Sequence, residues 1–303
     1  MAMPLKPTRR AALGAIAGLG SLAIAAPELA LAVPSFSLYG MKDVPLDKAL
    51  DHLKSTGYAG VELVCLPGWD TDPTRLTAGQ VKGIRESLAS RNMLPVGLML
   101  DLPLDIAEEL FARNLVLLAR ACAMARAIDD KSPPILETVL GGKPGDLPKR
   151  LAVHRDRLGR VEVVLAREGG ILALKPHRMQ AFDHAVALAG LINEVNSPRV
   201  VAAFDPSHFQ HRMPDIAESW KALGALTRFI HVKETVFEKG QLRFVLPGQG
   251  GLDLKALRAM LIESRYRGPI CVEVSRQVWS MPGYDPFLAS TKAFPAMKAI
   301  THG

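Results

Sequence analysis

From residue 33 onward the chain repeats one unit eight times: a short β-rich run followed by a longer amphipathic stretch of helical period. The β-rich runs fall at 35–39, 60–65, 94–101, 135–140, 171–175, 200–205, 228–233 and 270–274. The helical stretches fall at 46–55, 78–91, 106–127, 147–167, 180–195, 215–226, 254–265 and 287–299. Alternation of this kind specifies a parallel sheet covered by helices. Eight units in about 270 residues fit a closed barrel, so the α/β fold class predicted is a single (β/α)8 TIM barrel over 33–303. A doubly wound open sheet usually has fewer units, and no Gly-rich dinucleotide fingerprint opens an early helix.

A barrel of this type builds its active site where strands end and the following loops begin. The polar residues at those eight places are Tyr39, Glu62, Asp101, Glu137, Lys175 with His177, Asp205 with His208, His231 with Lys233 and Glu234, and Glu273 with Ser275. Four of the eight histidines, His177, His208, His211 and His231, fall just after strands five, six and seven, where chance would scatter them more evenly. Carboxylate and imidazole groups converging from adjacent strands can bind a divalent cation through mixed O and N ligands. Such an ion would polarise a carbonyl and stabilise an enediolate while a neighbouring base removes the α-proton.

Each of these residues also has a plainer role open to it. Asp205 before Pro-Ser can start a turn, and His231 can be a satisfied wall histidine. Glu62 and Glu137 can be structural partners of a Lys or Arg. Glu273 lies inside an apolar strand, where an unpaired carboxylate is costly, so it needs a cation, either a metal or a lysine. His177, His208, Lys233, Glu62 and Trp279 are candidate substrate contacts. The Trp69 and Trp279 rings, in the loops after strands two and eight, can stack on the ring of a bound substrate or anchor their own loops. Residues 237–245 alternate around Lys239-Gly240 and predict a small hairpin beside the site.

Composition narrows the partners. Lys and Arg total 37 against 30 acidic residues, a net +7. The first 32 residues hold Lys6, Arg9, Arg10 and Glu28, so without them 34 face 29. That excess is modest and forms no arginine-rich stripe, so nucleic-acid binding is not indicated. Within 1–32, Thr8-Arg9-Arg10 precedes an uncharged run at 11–26, and Ala30-Leu31-Ala32 follows as a small-residue cleavage site. This pattern predicts a cleavable signal peptide of twin-arginine type, hence a periplasmic or secreted bacterial protein without stable membrane insertion after cleavage. The alternative is an uncleaved anchor, the apolar run being near the lower limit of a span. Phosphosugars are scarce outside the cytoplasm. No Gly-rich phosphate cradle is evident either, since 247–251 reads as a turn. Cys65, Cys122 and Cys271, an odd number in apolar surroundings, read as buried small hydrophobes rather than a disulfide framework.

Five segments resemble the xylose isomerase-like TIM-barrel family of sugar isomerases and epimerases. Gly57-Tyr58-Ala59-Gly60-Val61-Glu62-Leu63 is similar to its second-strand signature. Phe204-Asp205-Pro206-Ser207-His208, His231-Val232-Lys233-Glu234, Leu246-Pro247-Gly248-Gln249-Gly250 and Val272-Glu273-Val274 are similar to its sixth, seventh, post-seventh and eighth elements. The resemblance extends over 33–299 and is more specific for the family than for a reaction. It implies one divalent ion (Mn, Zn, Mg or Co) on carboxylates and a His from strands five to eight, with Asp205, His231 and Glu273 matching three ligands. It also implies a sugar or keto-sugar substrate, and homo-oligomers, since dimers and tetramers are usual among such proteins. The family's DNA-repair relatives use a three-metal cluster with many more ligands than this chain offers.

The fourth ligand does not match: strand five reads Leu174-Lys175-Pro176-His177, where the family usually has a Glu. A protonated Lys cannot ligate a metal, and its charge opposes a nearby dication. Three outcomes stay open. A metal sits on Asp205, His231 and Glu273 with help from Glu137 or His177, and Lys175 is a base of depressed pKa. Alternatively, Lys175 takes the metal's place and leaves a metal-free site, or the barrel only binds carbohydrate. In the first two, Lys175, Glu273 and Glu137 are the candidate catalytic groups for α-proton transfer. The expected activity is sugar or keto-sugar isomerisation or epimerisation, with β-elimination from a 3-keto-sugar by a lyase or dehydratase as the alternative.

Overall fold

The computed structural model describes residues 33–209 and 216–302. The expected signal segment at 1–32 and His211 lie outside the described residues. Eight parallel strands close into a barrel: β1 (Pro34–Ser37), β2 (Gly60–Val64), β3 (Leu94–Met99), β4 (Ile135–Val139), β5 (Leu172–Lys175), β6 (Val200–Phe204), β7 (Thr227–Val232) and β10 (Ile270–Val272). The eighth barrel strand is numbered ten because β8 (Glu234–Glu238) and β9 (Gln241–Val245) form an antiparallel hairpin after β7. That hairpin turns at Lys239 and Gly240, both with positive φ, where the alternation around 237–245 expected it.

Outside the barrel lie α1 (Leu46–Thr56), α2 (Ala78–Ser90), α3 (Glu108–Ile128), α4 (Leu147–Glu168), α5 (Ala185–Val195), α6 (Ile216–Leu223), α7 (Leu254–Glu263) and α9 (Pro286–Thr301). The four-residue α8 (Arg276–Trp279) sits in the loop after β10. Local signals set the helix ends. Thr77 and Gln80 form a reciprocal capping box before α2, and the Asp253 and Asp285 carboxylates accept backbone N–H bonds at the starts of α7 and α9. Gly57, at φ 112°, closes α1 in a conformation that favours glycine. The fifth helix starts later than its period suggests. Residues 180–182 are instead tied to neighbouring loops: Ala181 N–H donates to Gly141 O at 3.1 Å and His177 N–H to Phe182 O at 2.9 Å. Among the described residues no helix is long and apolar enough to cross a membrane.

Inside the barrel, strand alternation sorts chemistry by height. Val96, Ala173, Val201, Ala203, Phe229 and Cys271 make one apolar plug. Continuing two residues at a time along the same strands gives Lys175, then Asp205, then His231 and Lys233, then Glu273. An apolar floor therefore carries a charged upper storey at the C-terminal ends. Gly97 makes room for the Phe229 ring of that floor, since a Cβ there would lie 2.7 Å from it.

Candidate active site

Seven ionisable side chains, all at most 6% exposed, interlock at the C-terminal end of the barrel: Glu62, Glu137, Lys175, Asp205, His231, Lys233 and Glu273. Glu273 is the hub. Its Oε2 accepts from Lys175 Nζ at 2.7 Å and lies 3.1 Å from His231 Nδ1, while Oε1 lies 3.1 Å from Lys233 Nζ. Lys175 Nζ also stands 3.1 Å from His231 Nδ1 and 3.2 Å from Glu137 Oε1. His231 Nε2 meets Glu62 Oε2 at 2.9 Å, and Lys233 donates to Asp205 Oδ2. Each charge has an opposite partner, as burial of this depth requires.

Asp205 does start a turn, and its other oxygen is taken by a lysine. Its Oδ1 accepts from Ser207 N–H at 3.1 Å and Ser207 Oγ–H at 2.5 Å, starting a turn, while Oδ2 faces Lys233. Glu234 points elsewhere. Its carboxylate accepts from Gly248 and Leu252 N–H at 2.5 and 3.2 Å and holds the loop below the hairpin. There is little space for more, since a Cβ on Gly250 would lie 2.7 Å from Glu234 Cβ.

The protonation states follow from these contacts. Burial alone would favour the neutral amine at Lys175, but Glu137, Glu273 and Asp205 outweigh it and raise the pKa well above the usual lysine value. Of the outcomes left open for Lys175, these contacts speak against a base of depressed pKa: three carboxylates from other strands hold it as an ammonium. Glu273 shows the converse. Burial pushes its pKa up, yet Lys175, Lys233 and His231 hold it well below the carboxylate range. Burial raises Glu137, with Lys175 opposing. Burial would lower His231, but Glu62 and Glu273 leave its pKa raised. His177 is lowered to about 4 and His208 lies well below its ordinary value, both chiefly by burial, so both are neutral at pH 7.

The outlet of the cluster is narrow. Glu273 and Lys175 are 6% and 4% exposed, whereas Glu62, Asp205 and His231 are wholly covered. Glu62, expected to touch substrate, is instead sealed behind His231, and Glu137 lies behind Lys175. His208 packs against His177 with ring centroids 4.1 Å apart, and its Nδ1 accepts from Arg178 N–H at 3.4 Å. Lys233 is turned inward onto Asp205 and Glu273.

Trp279 stands at the mouth, edge-on to Tyr39 at 5.5 Å, and Tyr39 stacks on Trp69 at 5.7 Å. Tyr39 also lies within electrostatic reach of Glu273 and Lys175, although its raised pKa comes mainly from burial. The sequence placed Tyr39 at a strand end without giving it a role. Phe244 carried no signal beyond the alternation of its hairpin. Its ring covers His208 at 5.5 Å and lies 5.5 Å from Lys233 Nζ. A cavity of about 670 Å³, lined by Pro95, Pro134, Trp220, Arg228 and Pro269, opens at the N-terminal ends of the strands, away from these groups.

Asp205, His231 and Glu273 do bring one possible ligand atom each within 4.8 Å of one another, and so do Glu62, His231 and Cys271. The first group nevertheless does not fit a divalent ion as its side chains stand. The Lys175 ammonium is within 3.1 Å of two of its three donors, and Lys233 holds the third. An ion about 3 Å from that ammonium would be repelled by about 11 kcal/mol at an effective dielectric of about 20.

The family model described as xylose isomerase-like TIM barrel matches residues 50–294. The chain belongs to that family. Among solved structures, this barrel is similar to 3-keto-D-glucoside 4-epimerase YcjR from E. coli: 17% identity, 83% of this chain, 93% of that one, TM-score 0.65. It is similar to the IOLI protein solved with a zinc atom, at 18% identity over 88% of this chain and 97% of that one, TM-score 0.73. It is also similar to an L-ribulose 3-epimerase, at 16% identity over 89% and 95%, TM-score 0.70. At these identities the likenesses establish the fold. Comparison with curated proteins returned no match.

Proposed function

We propose that this barrel is an exported isomerase or epimerase of a sugar or keto-sugar, moving a proton α to a carbonyl. The observation that carries the reading is the Lys175–Glu273 contact of 2.7 Å at the outlet of an otherwise sealed cluster. An ammonium and a carboxylate side by side are the electrophile and base that enolisation needs. When a substrate carbonyl accepts a hydrogen bond from Lys175, it takes over part of the positive field that holds Glu273 so acidic. The carboxylate then becomes more basic as the α-C–H becomes more acidic. Proton transfer to Glu273 moves the negative charge onto the enediolate oxygen beside the same ammonium, so the summed charge of cluster and bound substrate does not change. Lys233, Glu137 and His231 hold the pair in place, and Glu62 keeps His231 oriented.

Of the four carboxylates in the cluster, Glu273 has the most exposed edge. A proton it removes returns most directly to the same face, which favours 1,2-isomerisation. Epimerisation requires an acid on the opposite face. Export rests on the sequence of 1–32. The test is incubation of the protein with D-fructose, D-xylulose and 3-keto-glucosides in deuterated water, read by NMR and mass spectrometry. Deuterium gained at the α-carbon, with isomer formed and no leaving group lost, is the expected result. Loss of a leaving group would move the assignment to a lyase. Tight sugar binding with no exchange would reduce the barrel to a binding protein.

A further inference from the structure

The ion implied for this fold and the residues of this chain disagree, and the disagreement is specific. We infer that Lys175 is a covalently built-in cation that excludes a divalent metal, so that the site works, and is held together, without one. Its Nζ bridges Glu273 Oε2 at 2.7 Å and His231 Nδ1 at 3.1 Å, two of the three atoms that would ligate an ion. The remaining oxygen of each carboxylate in that set is also taken. Lys233 binds Asp205 Oδ2 and approaches Glu273 Oε1 at 3.1 Å, and Ser207 occupies Asp205 Oδ1. The donors thus form a finished hydrogen-bonded network around two ammoniums rather than an open coordination shell. Glu137 adds a counter-charge from behind, its Oε1 3.2 Å from Lys175 Nζ but without a hydrogen bond.

One substitution should therefore convert the site. In Lys175→Glu the ammonium is replaced by a fourth ligand of the type an ion needs, and five carboxyl groups are left facing one remaining lysine. The inference refines the proposed function, because the electrophile it assigns is Lys175, but its readout is metal content and does not depend on turnover.

The experiment is equilibrium dialysis of the purified full chain against Mn2+, and separately Zn2+, followed by elemental analysis and thermal melts with and without the ion. Wild type, Lys175→Glu, Lys175→Gln and Asp205→Asn are compared. Wild type should hold well under one ion per chain and show no melting shift. Lys175→Glu should bind one ion about a hundredfold or more tighter than wild type, with a melting point that rises on addition of the ion. A stoichiometric ion in wild type that is lost in Asp205→Asn overturns the inference, whether or not either lysine variant folds. A folded Lys175→Glu that gains no ion also overturns it, because Lys175 is then not what keeps the metal out. If Lys175→Glu unfolds, Lys175→Gln carries the test: it removes the repelling charge, and gain of the ion supports the inference while no gain overturns it. Deuterium exchange by a metal-free wild type and its absence are both legible alongside, so loss of the proposed reaction and loss of this inference are separate results.

Discussion

Replacing Lys175 by Met tests whether the ammonium supports the cluster, and the contacts set the size of the effect. The two carboxylate oxygens at 2.7 and 3.2 Å give gross attractions of about 6 and 5 kcal/mol at an effective dielectric of about 20. Desolvation of the buried ammonium offsets several kcal/mol of this, and breaking such a pair costs about 3–5 kcal/mol because an uncompensated charge is left behind. Glu273 keeps Lys233 and His231, so the loss falls mainly on Glu137, whose pKa burial already raises. Glu137 can escape by binding a proton, which at pH 7 caps its penalty near 3–4 kcal/mol, about 1.4 kcal/mol per pH unit above the ordinary carboxylate range. The sign follows. In the variant the folded pKa of Glu137 lies further above its unfolded value. Stability is then fully present below the unfolded value and drains away as pH rises toward the folded one.

Urea unfolding of wild type and Lys175→Met between pH 5 and 8, followed by tryptophan fluorescence, should show a gap that widens with pH to about 3 kcal/mol. Lys175→Met/Glu137→Gln should recover most of it, with a coupling of about 2–3 kcal/mol. A Lys175→Met protein as stable as wild type at every pH, or a coupling below about 0.5 kcal/mol, would refute the claim that this ammonium compensates buried carboxylates.

Three further outcomes follow from the same structure. Glu273→Gln, which keeps the shape and two polar atoms, should lower α-deuterium exchange by about 10²–10⁴-fold while the fold survives; unchanged exchange would remove Glu273 from the role of base. The three free thiols are buried, and burial raises each pKa, that of Cys122 to about 11. A thiol reagent at pH 8 should therefore label none in the native protein and all three in urea, and rapid native labelling would contradict the packing. The proposed export predicts that the full chain, expressed in a bacterium with a twin-arginine pathway, appears in the periplasmic or secreted fraction, and that replacing Arg9 and Arg10 with Lys retains it inside. Retention of the unaltered chain in the cytoplasm would end that reading.

The barrel was legible because its signal is redundant. Eight alternations, each short and locally ambiguous, agree only on a closed sheet, and strand ends then locate the chemistry without knowledge of any side-chain contact. The hairpin at β8–β9 was legible for the same reason of period and turn. What the sequence concealed was depth. Glu62 and Glu137 have the inward parity of functional residues, but parity does not reveal that each stands behind another side chain. Which of its open roles Lys175 takes was concealed by the same limit. A lysine at the end of an apolar strand suggests a depressed pKa when burial is considered alone. The opposing carboxylates come from β4, β6 and β10, as much as 98 residues away in the chain, and only ring closure brings them together. Phe244 was invisible because covering a histidine needs only an apolar face, which any apolar hairpin residue supplies.

On the proposed function, that closure also favours a neutral sugar over an anionic one. The ammoniums of Lys175 and Lys233 are already committed to Glu273, Glu137 and Asp205. A substrate carrying a phosphate or carboxylate would have to strip one of these partners, leaving a buried carboxylate unpaired at a cost of several kcal/mol. A carbonyl asks for less. It needs one hydrogen bond from Lys175, borrowed while Glu273 is being protonated and returned when the proton goes back to carbon. In the proposed reaction Lys175 leaves Glu273 as that carboxylate takes up a proton, so no unpaired buried carboxylate is left behind.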